Sequence, residues 1–413
     1  MTPIDLEDAY SISFRQLLMF ESVARLHSVQ RAAEECHLSQ PAVSQAFAKL
    51  ERQVGANLLS RNRNRNRGYL SELGEVFRPR VARMMVAFKD ALNELGGAAM
   101  ASKHQTVLAR ISRSHVRALI AILDEGRLAP AAQKLGLSEG TLKRATMDLE
   151  AVLGRPLFQR STAGVTLTPA GANFASRLKL GLHEIAAAVQ DMATLQGDKA
   201  VEITVGAMFF GGSMLLAEVL SDFTAAYPEF QVRVVNDTAA TLRVKLQAGD
   251  FDMMIGLLHG EEPCLVKEAL METPFRVVAR HGHPLLRQGR VGLQQLEQYS
   301  WVVTSPGSCR RAAIDRLFEG RHFPHAPIVT CSVPLTRQLM MQSDRLTLMT
   351  TFELQHQSEF LAPVPFDEVP SAPPLGVLLR AGWMPTALHN RFLTAVRAQV
   401  AKAPPYEALR QVS

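Results

Sequence analysis

Two kinds of hydrophobic spacing run along this chain, and the change between them falls near residue 200. Before it, apolar residues recur every three or four positions, the period of a helix with one buried face. Val43, Ala46 and Leu50 keep that spacing, as do Leu142, Ala145 and Leu149. Two longer runs do the same: Phe77, Val81, Met84, Phe88, Leu92 and Leu95, then Phe174, Leu178, Leu182, Ile185, Val189 and Met192. Each predicts a long helix with a narrow apolar stripe, suited to pairing with another helix or to packing on its own domain. From Ala200 onward, short apolar runs alternate with amphipathic ones: VEITVGAM, SMLLAEVLSDFTAAYP, FQVRVVND, TLRVKLQAGD and FDMMIGLL, and later YSWVVTS, SCRRAAIDRLFEG, PIVTCSV, PLTRQLMMQ and RLTLMT. This beat predicts α/β units on mostly parallel sheets. In such folds ligands bind at the carboxyl ends of strands and at helix N-termini.

The helical half contains a duplication. Ser28 to Arg61 aligns with Arg127 to Arg160 at an offset of 99 residues, matching Ala32-Ala33 with Ala131-Ala132, Leu38-Ser39 with Leu137-Ser138, Leu50-Glu51 with Leu149-Glu150, and Gly55 with Gly154. Beyond a two-residue insertion in copy one, Leu70, Leu73 and Gly74 match Leu167, Ala170 and Gly171 at an offset of 97. Each copy has the chemistry of a helix-turn-helix. Ala33 and Ala132 give the small contact where two helices cross, and His37 and Gly136 fall at the tight turn. Leu38 and Leu137 are expected to plug the angle beneath. Ser39 and Ser138 are placed as N-caps, with Pro41 in the first turn. Gln40, Ser44, Gln45 and Lys49 then lie outward in copy one, and Glu139, Thr141, Lys143 and Arg144 in copy two. Gln suits adenine, Lys and Arg suit guanine, and hydroxyls suit phosphate or either base.

Each copy continues into a basic or glycine-containing turn. Copy one carries Arg61, Arg63, Arg65 and Arg67 with Asn between them, and no acid from Arg52 to Ser71; copy two carries Arg160 within RSTAGVTLTP. Both read as hairpin wings lying on a phosphate backbone, although a run of arginines can also be a solvated face. The stretch GGAAMASKHQ reads as a flexible joint between the copies.

Charge supports the division. Residues 1–197 hold 25 basic and 18 acidic side chains, whereas 198–413 hold 20 and 21. A basic half joined to a neutral one suggests a polyanion partner for the first half alone.

Other classes recede. The longest apolar stretch, Ile203 to Ala217, is interrupted by Thr204 and Ser213 and is short of the ~20 residues of a membrane span. MTPIDLEDAY lacks the apolar core of a signal peptide. Cys36, Cys264, Cys309 and Cys331 are scattered, so reduced thiols in a cytoplasmic protein are expected, without structural zinc. His281 and His283 form an H-x-H pair, but Gly282 and Pro284 make it a turn, and no metal or cofactor is expected. No G-x-S-x-G, H-E-x-x-H, G-x-G-x-x-G or phosphate-loop pattern is present. The expected class is not an enzyme. A metabolic enzyme on the α/β half and an architectural DNA binder without a sensor remain the alternatives.

FRQLLMFESVARLHSVQRAAEECHLSQPAVSQAFAKLERQVGANLLSR resembles the DNA-binding domain of LysR-type transcriptional regulators, through Ala-Ala-x5-Ser-Gln-Pro-Ala-Val-Ser followed by Leu-Glu and Gly. PLFQRSTAGVTLTPAG resembles the family's wing. AYPEFQVRVV, LQAGDFDMMIG, HGHPL and LGVLLRAG resemble its effector-binding domain. The implied fold is α+β and multidomain: two tandem winged helix-turn-helix domains, then a two-subdomain α/β domain of the periplasmic-binding-protein kind. The expected boundaries are a first winged helix with its long helix at 1–95, a linker at 96–112, a second winged helix at 113–172, a dimerisation helix at 173–197 and an effector domain at 198–413. Within the last, subdomain I takes about 198–278 and 362–413, and subdomain II about 279–361.

The resemblance implies a sequence-specific, effector-controlled regulator. Its partners would be double-stranded DNA, a small-molecule effector, further copies in a homodimer or homotetramer, and RNA polymerase. DNA contacts carry over most directly to Gln40, Pro41, Ser44 and Gln45, because copy two replaces Gln-Pro-Ala-Val-Ser with Glu-Gly-Thr-Leu-Lys. By position, the effector cleft takes Met208, Phe209, Ser213, Thr238, Thr304, Ser305, Ser308 and Ser332, with Arg310 as charge partner for a small organic acid.

Overall fold

The computed structural model describes residues 12–60, 69–162, 164–197 and 202–402. It divides into two compact units, Met1–Val201 and Glu202–Ser413.

In the first unit, α1 (Phe14–Leu26), α2 (Val29–Glu35) and α3 (Gln40–Val54) form the first helix-turn-helix, and α4 (Glu72–Gly96) follows it. Two short helices, α5 (Ala98–Ala101) and α6 (His104–Leu108), lead to α7 (Arg113–Glu125), α8 (Leu128–Lys134) and α9 (Glu139–Leu153). Strands β1 (Phe158–Ser161) and β2 (Gly164–Leu167) pair antiparallel as the second wing, and α10 (Pro169–Leu195) completes the unit. The turns are as the residues require: His37 has φ 52° and Gly136 has φ 65°, both left-handed. Ala32, Ala33 and Val43 are buried, as are Ala131, Ala132 and Leu142, and they close the helix crossings. Leu38 and Leu137 do not plug them. They are 46% and 41% exposed: the alanines close each crossing without them, and Leu137 faces an open groove instead.

Copy one has the start of its wing in an antiparallel Leu59–Leu70 bridge, with the Ser60 amide donating to the Tyr69 carbonyl at 2.9 Å. Arg61, Arg63, Arg65 and Arg67 lie outside the described residues. The expected flexible joint is instead helical and packed. Leu108 and Ile111 are buried in the same core as Phe88 and Phe174, and Arg15 Nε donates to the Ala109 carbonyl at 2.8 Å. Alanine-rich sequence in GGAAMASKHQ favours helix once apolar neighbours are supplied.

The two stripes meet. α4 and α10 run antiparallel and bury Phe77, Val81, Met84, Phe88 and Leu92 against Phe174, Leu178, Leu182, Ile185, Val189 and Met192, with Leu95 half-buried. Gly74 and Gly171 let each long helix approach its own wing. A Cβ would fall 2.2 Å from the Leu58 carbonyl oxygen at Gly74, and 2.1 Å from that of Leu157 at Gly171.

In the second unit, the strand–helix order is β3 (Glu202–Met208), α11 (Gly211–Ala226), β4 (Gln231–Asp237), α12 (Ala239–Ala248) and β5 (Met253–Leu257), followed by β6 (Leu265–Met271) and β7 (Phe275–Arg280). Next come α13 (Leu293–Leu296), β8 (Val302–Val303), α14 (Cys309–Leu317), β9 (Ile328–Val329), α15 (Val333–Met341), β10 (Thr347–Thr350), α16 (Thr351–Gln355), β11 (Leu361–Pro363), β12 (Leu375–Arg380) and α17 (Ala387–Lys402). One sheet has the order β4-β3-β5-β12-β6; β7 sits between β10 and β11 in another, and β8 pairs with β9. The sheets are mixed rather than mostly parallel. β3 is parallel to β4 and β5, but β12 runs antiparallel to β5 and β6, and β7 is antiparallel to both of its neighbours. Because β7 and β11 belong to the second subdomain, the crossing lies between Met271 and Phe275 rather than at 278. The return lies between Pro363 and Leu375 rather than at 362.

Candidate nucleic-acid interface and effector cleft

Each recognition helix starts on a serine. Ser39 Oγ accepts the Ala42 amide at 3.4 Å, and Ser138 Oγ accepts that of Thr141 at 3.1 Å. This satisfies a free N–H of the first turn and fixes where each helix begins. Ser39, Gln40, Pro41, Ser44, Gln45 and Lys49 are all exposed on copy one, as are Ser138, Glu139, Thr141, Lys143 and Arg144 on copy two. The structure therefore brings each predicted set onto one solvent-facing surface. Arg160 is exposed on β1. The Thr141 hydroxyl is shared with Ser138 Oγ at 2.9 Å, so it belongs to the cap as well as to the surface.

The glutamate matched between the copies has a purpose that spacing alone does not show. Glu51 Oε1 accepts the Leu58 and Leu59 amides at 2.7 and 3.2 Å, and Glu150 Oε1 accepts those of Leu157 and Phe158 at 2.7 and 3.0 Å. Each carboxylate ties the end of a recognition helix to the base of its wing. The repeat of Leu-Glu in both copies was the available signal. With Glu51 so occupied, the exposed positions of α3 carry Lys49 and Arg52 and no acid. The exposed face of α9 is mixed: Lys143 and Arg144 lie with Glu139 and Asp148, and Met147 is 57% exposed. Leu137 lines an open groove with Arg127, Gln133, Glu139 and Val165, between α8, the start of α9 and β2.

In the second unit the predicted cleft residues fall into two groups. On the first subdomain, Ser213 Oγ donates to the Met208 carbonyl at 3.1 Å and accepts from Asn236 Nδ2 at 2.9 Å. Thr238 Oγ1 caps α12 through the Thr241 amide at 3.3 Å, and Phe209 is exposed beside them. On the second, Thr304 Oγ1 and Ser308 Oγ share a hydrogen bond of 2.7 Å, and Ser308 Oγ accepts the Arg311 amide at 3.1 Å. Ser305 Oγ lies 3.7 Å from Cys331 Sγ, and Ser332 Oγ caps α15 through the Leu335 amide at 3.4 Å.

Arg310 does not face an open cleft. It is buried, with its guanidinium bonded to both carboxylate oxygens of Glu353 at 2.8 and 2.7 Å, donating to the Leu348 carbonyl, and 4.3 Å from the Phe210 ring centre. A buried carboxylate forty-three residues along the chain claims the charge that sequence position offered to a ligand. Glu353 also accepts the Gly211 amide at 3.0 Å and the Thr350 amide at 2.9 Å. The Gly211 bond joins the two subdomains. Sequence reading missed Glu353, although Thr350-Thr-Phe-Glu353 has the pattern of a capping box. Phe210 belongs to the core of the second subdomain with Val278, Val302, Met340, Met349 and Leu361, and holds φ at 68° to reach it. Burial pushes the neighbouring Cys309 thiol up, against the pull of Arg310, which keeps it protonated.

His281 Nε2 lies 2.8 Å from the Ser358 carbonyl, and the buried His283 accepts the Leu285 amide at 3.1 Å. Both histidines serve the turn. Among the described residues no group of three or more His, Cys, Asp or Glu side chains is placed to hold a metal ion, and no helix is long and apolar enough to cross a membrane.

Comparison with known proteins now identifies the two units. The helix-turn-helix domain of bacterial regulatory proteins of the lysR family matches twice, at residues 14–75 and 114–172, and the LysR substrate binding domain matches residues 196–401. The HTH-type transcriptional regulator GalR of Pseudomonas putida is 29% identical over 390 residues, spanning 92% of this chain and 96% of that one. GbpR of Rhizobium radiobacter, also an HTH-type transcriptional regulator, is 28% identical over 256 residues, spanning 60% and 83%. A full-length OxyR variant from Pseudomonas aeruginosa shares the fold at a TM-score of 0.52 with 20% identity, over 70% of this chain and 94% of that one. Its winged helix pattern, twice over, and its α/β effector domain place the chain in the LysR family of bacterial transcriptional regulators.

Proposed function

We propose that this LysR regulator reads DNA sequence chiefly through α3, with α9 as a second reader, and is switched by a small organic acid bound between the subdomains of its second unit. The carrying observation is the acid-free exposed face of α3, on which Gln40, Ser44, Gln45 and Lys49 stand together. Gln45 and Gln40 would pair with base edges in the major groove, while Lys49 and the wing arginines would hold phosphates and set the register. The mixed face of α9 makes its contact more selective, since Glu139 is tolerated only where it meets a donor such as the amino group of cytosine.

The acid is favoured by four helices that begin at the proposed cleft, α11, α12, α14 and α15, whose N-termini suit a carboxylate. Ser213, Thr238, Thr304, Ser305, Ser308 and Ser332 would supply hydroxyls there and the exposed Phe209 apolar cover, whereas the Met208 side chain packs into the core of the first subdomain with Phe251 and Met254. The Gly211–Glu353 bond and the hydrogen bond of His356 with Glu218 at 2.8 Å both link the subdomains, so a carboxylate competing for the Gly211 amide would weaken that link. The readout would pass to DNA contacts and to RNA polymerase in the cytoplasm, with self-association through the effector domains.

Binding of the full-length chain to a duplex selected from a random pool tests the reading. Gln45→Ala should cost about 1–3 kcal/mol on that duplex. Unchanged affinity would remove α3 as the reader. A panel of small carboxylic acids assayed by thermal shift on the full chain should contain stabilising members, and a flat response would sink the organic-acid assignment.

A further inference from the structure

We propose that one chain of this protein is by itself a closed pair of unlike DNA readers, and that it binds an operator whose two half-sites differ in sequence. This rests on the reading of DNA by α3.

The pairing of α4 with α10 has the repeat's own symmetry. At the offset of 97, Arg80 corresponds to Arg177 and Glu94 to Asp191. Arg80 bonds Asp191 at 2.9 Å, and its counterpart Arg177 bonds Glu94 at 2.7 Å. Met84 corresponds to Gly181, and these two meet: a Cβ on Gly181 would lie 3.3 Å from Met84 Cγ. An approximate two-fold axis therefore passes beside Met84 and Gly181. Each long helix is locked to its own recognition helix by the same parts, Glu51 with Gly74 in one copy and Glu150 with Gly171 in the other. The axis thus relates α3 to α9. A two-fold pair of recognition helices matches the local symmetry of the duplex, with half-sites a whole number of helical turns apart.

The remaining contacts break that symmetry, and they favour the unlike pair over two like ones. Glu184 accepts from Arg80 at 3.0 Å and from Arg83 at 2.9 Å, but its counterpart is Ala87. Asn173 adds a bond to Glu94 at 2.7 Å, and its counterpart is Val76. Two α4 helices together would set Met84 on Met84 and leave Arg83 without its acid. Two α10 helices would set Gly181 on Gly181 and leave a gap at the axis. The segment joining the copies is packed into the same core through Leu108 and Ile111, so the pair closes within one chain.

The two readers carry different chemistry. Gln40, Ser44, Gln45 and Lys49 favour adenine and guanine contacts, whereas Glu139, Lys143 and Arg144 favour cytosine and guanine. An operator fitted to both has no internal inverted repeat.

The test is selection of a random duplex pool on the full-length chain, repeated with Gln45→Ala and Arg144→Ala, both at exposed positions. The selected duplex should hold two unlike segments a whole number of turns apart. Gln45→Ala should erase the preference in one segment and Arg144→Ala that in the other. Each should weaken binding to the original duplex by about 5- to 150-fold. If chains assemble further, each pair of segments should still be unlike. An inverted repeat of one segment, a lone segment, or Arg144→Ala leaving every preference intact would overturn the inference while leaving α3 as a reader. No enrichment at all would overturn both.

Discussion

Arg80 is the most consequential single side chain in the helix pair. It is 2% exposed and lies between Glu184 and Asp191, which are 13% and 17% exposed. Arg80→Met keeps the apolar stem but removes the guanidinium. Asp191 then loses this partner, and Glu184 keeps Arg83 at 2.9 Å. Breaking a buried ion pair from one side costs about 3–5 kcal/mol, because the remaining charge stays desolvated. The symmetry mate gives an internal control. Arg177 and Glu94 are each 39% exposed, so Arg177→Met should cost under about 1 kcal/mol. Hydrogen exchange read by mass spectrometry resolves α4 and α10 without interference from the second unit. Exchange in these helices should rise by about 100-fold or more in Arg80→Met, and by less than about fivefold in Arg177→Met. Replacing Arg80, Glu184 and Asp191 together by apolar residues of similar size should recover most of the loss. If Arg80→Met and Arg177→Met behave alike, the helix pair is not held as described.

Further expectations follow from other parts of the molecule. Replacing Arg63, Arg65 and Arg67 by Ala should weaken binding to all duplexes and lower the salt slope by about one for each phosphate no longer held; an unchanged slope would refute the wing assignment. Gly171→Ala should disrupt the first unit because its Cβ meets the Leu157 carbonyl oxygen at 2.1 Å. Gly140→Ala, with only Ser138 Oγ at 3.9 Å, should stabilise by about 0.5–1 kcal/mol, and thermal unfolding would expose any reversal of that order. Burial opposes the charge on Asp252, but the His389 ring, the Thr204 amide at 2.8 Å and Arg380 outweigh it and hold this carboxyl below the usual range. Its contribution is therefore complete above the ordinary carboxylate pKa and is lost as pH falls through the lower folded value. Fluorescence of Trp383, which packs edge-on to His389, should show an acid transition that Asp252→Asn flattens, and identical acid profiles would contradict this.

Much of this could be read from sequence because it is local. The alanine pairs, the serine caps, the left-handed turn at His37 and Gly136, and the stripes of α4 and α10 follow from residue type and spacing. What escaped depends on partners distant in the chain. Leu38 and Leu137 sit at positions where burial depends on the helix crossing angle, and alanine contacts set that angle without them. The alanine-rich joint lacks an apolar period of its own, so only its packing shows it as helix. β6 and β12 lie side by side, but an antiparallel return after more than a hundred residues leaves no mark on local spacing. Arg310 looks like a ligand contact until Glu353 is placed beside it. The partnership of Arg80 with Asp191 was implicit in the duplication, since it repeats Arg177 with Glu94, yet the stripe alone did not say which helix would cover it.

Whether one chain closes its own pair of readers is decided by charge exchange between Arg80 and Asp191. Full-length chains carrying Arg80→Glu, Asp191→Arg or both are compared with co-expressed single variants, by thermal unfolding and by binding to the selected duplex. With Glu184→Ala in every chain, because Glu184 also faces position 80, each single variant places like charges together in the helix pair, whereas the double variant in one chain restores the balance. Folding and binding should recover in the double variant and not in the co-expressed singles. Recovery in the mixture to the level of the double variant would mean that α4 and α10 pair between chains, and closure within one chain would be ruled out.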